Sequence, residues 1–146
     1  WNTDGSSFGD NVPGEIWIGK ADDSGNHISE EDGHAFTSRP SGFRFHYKYN
    51  SLNNETFVVT LVIKDASGNE IARIDKTDGR AATSWSLMEL PIVYSDSKSK
   101  AASIYMSFKS CAGGDISMNK SIELAGVQQK AHIGSVLRID NIELTY

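Results

Sequence analysis

The side chains best suited to chemistry in this chain are carboxylates, flat aromatics and alternating cations, and each set points to a different use. Glu15, Glu89, Asp140 and Glu143 fall in or beside strand-like runs. Two carboxylates about 5 to 9.5 Å apart across a glycosidic bond would make a glycoside hydrolase, but the chain carries 19 carboxylates and chance pairs are common. Hydrolysis is therefore the lesser expectation. Asp4, Asp10 and Glu15 from the acidic first segment, joined by Asp140 from the last strand, would supply oxygens to a structural Ca²⁺. The competing reading has Asp140 capping nearby backbone N–H groups without metal. Arg44, His46 and Lys48 alternate along one strand, and Tyr105, Ser107 and Lys109 along another. If those strands share a sheet, their outward side chains form one polar and aromatic surface for an oligosaccharide or polysaccharide. Trp17, out of phase with Ile16 and Ile18, is expected as an exposed platform beside it, and Trp85 either rims that surface or lids the edge of the core.

Other chemistries lose ground on spacing and charge. His27, His34, His46 and His132 show none of the close pairings that bring two imidazoles to one transition metal. Cys111 is the sole thiol, so it forms no internal disulfide and no Cys-based zinc site, and nothing in the sequence marks it as an activated nucleophile. No Gly-x-Ser-x-Gly, P-loop or dinucleotide fingerprint occurs. Lys and Arg number 14 against 19 Asp and Glu, a net charge of −5, so no basic field exists to collect nucleic acid. Residues 1 to 35 hold eight carboxylates and one base, Lys20. No run nears the 18 apolar residues of a membrane helix, and the expected product is a soluble, processed or excised piece.

What must position these residues is a set of strands. Length alone predicts one domain, residues 1–146, able to bury a core without staples. From residue 42 the hydrophobic period is two. Phe43, Phe45, Tyr47 and Tyr49 share one face of 42–50; Phe57, Val59, Leu61 and Ile63 share one of 56–64; Ile104, Met106 and Phe108 share one of 102–110. The second run is apolar on both faces and reads as an interior strand. Asp65 to Asn69 is a turn leading into 70–77, and Pro91 sends the strand over 84–94 to a sheet edge or a bulge. In 134–146, Leu137 and Ile139 are in phase but Ile142, Leu144 and Tyr146 are in the opposite one, which a bulge at Asp140 and Asn141 would correct. Shorter strands are expected over 15–19 and 34–38, and 119–133 is the one passage that reads as able to hold a helical turn. Seven to nine strands result. The fold class is all-β, an antiparallel two-sheet β-sandwich of jelly-roll type, with a closed barrel as the lesser alternative.

The ordered combination of Thr37-Ser38-Arg39-Pro40, Phe45-His46-Tyr47-Lys48-Tyr49, Trp85, Leu90-Pro91-Ile92-Val93-Tyr94, Ile104 to Phe108, Gly134-Ser135 and Ile139 to Leu144 resembles the putative carbohydrate metabolism domain of Bacteroidetes surface proteins. The resemblance spans nearly the whole chain. It implies a jelly roll similar to carbohydrate-binding modules, the C-terminal part of a surface lipoprotein or other exported glycan-utilisation protein, with further domains before it. The implied location is the cell surface or the medium. Asp140 also matches the closing Ile-Asp-Asp of many calcium-containing sandwiches, with Asn141 in place of the second acid. The function expected is non-catalytic glycan binding, with a structural or protein-interaction spacer as the alternative and a glycoside hydrolase behind both.

Overall fold

In a computed structural model, residues 2–4, 14–24, 32–51, 54–112, 119–124, 127–132 and 135–146 are described. They form eleven strands and no helix: β1 (Asn2–Asp4), β2 (Glu15–Ile18), β3 (His34–Ala35), β4 (Gly42–Asn50), β5 (Phe57–Lys64), β6 (Glu70–Asp78), β7 (Ala82–Pro91), β8 (Ser103–Lys109), β9 (Asn119–Leu124), β10 (Val127–His132) and β11 (Val136–Thr145). Every pairing is antiparallel. The larger sheet runs β1-β2-β8-β5-β6, with β3 also on β8, and the smaller runs β11-β4-β7. Among the described residues β9 and β10 pair only with each other. The two principal sheets pack face to face as a β-sandwich.

Alternation builds the core between them. The inward rows of β4, β5 and β8 are all buried in a single cluster, joined by Ala82 and Met88 of β7 and Ile71 of β6. Aromatic rings tie the sheets together: Phe45 meets Phe108 edge-on at 5.0 Å, and Phe57 lies 5.2 Å from Tyr47 and 4.9 Å from Tyr49. Such edge and tilted contacts place ring edges on electron-rich faces. β5 lies between β8 and β6, the interior position its two apolar faces demand, and β7 is an edge strand that ends at Pro91.

The phase change in the last strand is a bulge. Asp140 pairs with His46 and Glu143 with Arg44, so Asn141 and Ile142 oppose Phe45 alone. Asn141 takes a left-handed φ of 50°, and its N–H donates to Asp140 Oδ1 at 2.8 Å. Leu137, Ile139, Ile142 and Leu144 then all pack against the core. The turn after β5 is as its residues predict: Asp65 accepts from the Ser67 and Asn69 N–H groups, and Gly68 sits at φ 84°.

Two expectations fail. Residues 119–124 and 127–132 form a hairpin rather than a helical turn. Leu124 pairs directly with Val127, and segments this short reach stability sooner by mutual pairing than as isolated helix. The strand expected over 34–38 shrinks to His34–Ala35, because only those residues meet β8, beyond the end of β2.

The turn between β6 and β7 makes stability depend on pH. Asp78 is buried, and Arg80 donates to it from its backbone N–H at 2.8 Å and from Nη2 at 2.6 Å. The Arg80 guanidinium holds the Asp78 carboxyl below the usual carboxylate range, against the opposing effect of burial. A depressed folded pKa gives stability that is present above the unfolded value, about 3.9, and is lost as pH falls through the folded one. Asp78→Asn should cost about 1 kcal/mol at pH 7, a figure discounted because Arg80 is largely solvated. Urea denaturation across pH 2 to 7 should show the gap between variant and parent closing below about pH 4.

Candidate functional site

Period-two geometry puts one row of each strand on the outside of the smaller sheet, and the registers assemble those rows into three cross-strand ranks. Glu143, Arg44 and Glu89 form the first rank; Asp140, His46 and Leu87 form the second; Arg138 and Lys48 begin the third. Between the Tyr47–Ser86 and Tyr49–Ala82 pairs, residues 83 to 85 of β7 oppose Lys48 alone. Plain alternation from the Tyr47–Ser86 pair puts Trp85 outward beside Lys48, whose Nζ lies 5.0 Å from the ring centroid. Trp85 is 46% exposed and Leu87, two residues along the same face, 49%.

The first rank is ionically closed. Arg44 Nε donates to Glu143 Oε2 at 2.8 Å, Nη2 lies 2.6 Å from the same oxygen, and Nη1 is 4.0 Å from Glu89 Oε1. Beside it a hollow of about 270 Å³ is lined by Arg44, Glu89, Leu90, Pro91 and Thr145. His46 Nδ1 is buried with no hydrogen-bond partner among the described residues. Trp85 and Glu89 are four residues apart on one strand, so the open face extends about 13 Å between them at about 3.3 Å per residue.

Arg44, His46, Lys48 and Trp85 are thus brought together, while the other expected members of the surface are not. Tyr105 and Lys109 lie on β8, in the larger sheet, and point away from the smaller one. Period two tells which residues share a face of a strand but not which strands share a sheet. Trp17, expected as an exposed platform, is fully buried, packed with Val62 and Tyr105 in a second cluster that Ala21 joins on the outside of the larger sheet. Tyr105 is only 5% exposed and its hydroxyl donates to Glu15 Oε1 at 3.3 Å. Lys109 Nζ lies 3.7 Å from Glu15 Oε2. Both faces of β8 are therefore buried, and the wet outer face expected for it is corrected.

Of the carboxylates expected at a cation, the side chains of Glu15 and Asp140 are described, on strands of different sheets, and Ile16, next to Glu15, lines one hollow with Asp140. Glu15 sits with Tyr105 and Lys109 outside the larger sheet, whereas Asp140 lies on the bulge of the smaller one and accepts from Asn141. Asp4 is in β1, paired with Glu15 through the backbone, and Asp10 lies outside the described residues. No group of three metal-ligating side chains occurs among the described residues. Leu87, Glu89, Arg138 and Glu143 join the face without having been read as its members. The apolar residues of 84–94 occur in both phases, Trp85 and Leu87 against Met88 and Leu90, so only pairing with β4 decides which phase is inside.

No family model matches the chain, and no curated protein matches it. Among solved structures, it is similar to a putative glycoside hydrolase from Bacteroides vulgatus ATCC 8482, with a TM-score of 0.63 and 18% identity over 91% of this chain and 64% of that one. A second, a putative glycoside hydrolase from Bacteroides thetaiotaomicron VPI-5482, gives a TM-score of 0.56 and 21% identity over 92% of this chain and 47% of that one. These likenesses show a shared fold. The chain spans about two thirds of the first protein and about half of the second.

Burial separates the two tryptophans experimentally. Trp17→Ala should lower unfolding stability by about 3 to 5 kcal/mol, and Trp85→Ala by less than about 1 kcal/mol, both measured by urea denaturation. The bulge gives a second test. With Asp140 as a cap, Asp140→Ala should cost about 1 kcal/mol and the melting temperature should be the same with calcium or a chelator. A melting temperature that rises with Ca²⁺ in the parent and not in Asp140→Ala would make Asp140 a cation ligand instead.

Proposed function

We propose that the domain is a non-catalytic glycan-binding module of a cell-surface or secreted glycan-utilisation protein, with the outer face of the smaller sheet as its binding surface. The observation that carries this reading is Trp85, a large flat ring held half-exposed on a rigid sheet by Lys48. A sugar ring presents C–H groups that pack on such a face, and its hydroxyls find planar donors and acceptors in Arg44, His46, Glu89 and Arg138 on the same face. The fold is similar to that of parts of two longer proteins named as putative glycoside hydrolases, which supports a carbohydrate context and an accessory place beside other domains.

The carboxylates support binding over hydrolysis. Glu89 and Glu143 flank Arg44, Glu15 meets Tyr105 and Lys109, and Asp140 accepts from its own bulge. Hydrolysis needs a proton donor and a second carboxylate facing a common bond, and the two acids that share the open face, Glu89 and Glu143, are both turned onto the Arg44 guanidinium between them.

The test is a glycan-array screen followed by calorimetry. Trp85→Ala should weaken binding by about 1 kcal/mol or more, while Tyr105→Phe, altered at a buried site on the other sheet, should bind as the parent does. A parent domain that retains no glycan would favour a structural spacer, and release of reducing sugar by the parent would favour a hydrolase.

A further inference from the structure

Resting on that reading, we infer that the face takes an acidic glycan, with Lys48 and Arg138 together receiving a carboxylate or sulfate group on a sugar stacked against Trp85. The two cations stand directly opposite one another on β4 and β11. Like charges facing across an antiparallel pair destabilise the sheet, and among the described residues neither is in an ion pair with a carboxylate. The acids of the face are engaged elsewhere: Glu143 and Glu89 on Arg44, one rank beyond His46, and Asp140 with its Oδ1 on the Asn141 N–H. The face thus separates its charge. One end is a closed acid-base-acid rank, and the other is two cations beside an open ring.

An anion between Lys48 and Arg138 would remove their repulsion and accept hydrogen bonds from an ammonium and a guanidinium at once. Such charge-assisted bonds are the stronger class. Trp85 supplies the sugar contact on the same rank, 46% exposed and with Lys48 Nζ 5.0 Å from its ring centroid. A net charge of −5 disfavours indiscriminate attraction of polyanions, so preference for an acidic polymer would report this pair rather than the whole surface.

The probes are polygalacturonate against its carboxyl-reduced form and dextran sulfate against dextran, with affinities measured on the intact domain at low and high salt. The parent should bind at least one acidic polymer about tenfold more tightly than its neutral counterpart, and that margin should shrink with added salt. The first pair reads a uronate and the second a sulfate. Arg138→Gln should lose most of the margin while its melting temperature stays level or rises, since a like-charge contact is relieved. An Arg138→Gln variant that keeps the full preference overturns the inference. Neutral glycans bound through Trp85 as well as acidic ones also overturn it, leaving the glycan-binding reading standing. Failure to retain any glycan in the wider screen overturns both.

Discussion

The structure depends on the register of β4. Its inward residues Phe43, Phe45, Tyr47 and Tyr49 are buried against Phe57 and Phe108, and its outward residues Arg44, His46 and Lys48 form the middle of the open face. A slip of one residue would exchange the two rows and place three cationic or polar side chains in the core. Burying each large aromatic favours the native register by about 1.5 to 3 kcal/mol, so four of them outweigh any preference among the outer residues. The outer row is consequently free to carry charges arranged for something other than stability.

The two sheets use their outer faces differently. The larger sheet buries Trp17, Val62, Tyr105 and Ser107 on its outside, so β8 is enclosed on both faces. The smaller sheet leaves Trp85 and Leu87 in solvent on an edge strand. A large exposed aromatic has no packing reward to explain it, whereas a buried one does. That contrast sets Trp85 on the open surface and Trp17 in the packed interior.

Most of the fold was legible because alternation is a local property. β4, β5, β6 and β8 lie where the period places them, the eleven inward residues of β4, β5 and β8 are all buried, and the bulge at Asp140 follows from one break of phase in a closing strand. The site was legible only in part, because it depends on non-local pairings. Arg44, His46 and Lys48 share a strand, so their common face could be read, but assigning β4 and β8 to different sheets needs contacts that no single strand encodes. Trp17 alternates with two isoleucines whichever side is covered, and what covers it comes from elsewhere in the chain. The 119–133 passage misleads for a related reason: its residues have no strong period, and pairing between its halves decides the outcome.

The bulges on either side of β4 show how a regular sheet can carry an irregular surface. On β11 one extra residue reverses the phase, which keeps Ile142 and Leu144 against the core and brings Glu143 opposite Arg44. On β7 three residues face one, an even excess of two, so Met88 and Ala82 keep the same inward phase, and Trp85 stays in the outward phase of Leu87 beside Lys48. An odd insertion there would have turned Ala82 outward. The parity of each bulge therefore protects the core, and its position determines which side chains meet outside. At physiological ionic strength the Debye length is about 8 Å, so a ligand close to this surface responds to the charges of its nearest rank more than to the net charge of the domain. The first rank sets two carboxylates on the single guanidinium of Arg44, and the third leaves two cations side by side. The polarity of the face is thus a product of strand register and bulge parity, acting on residues whose types alone would average to neutrality.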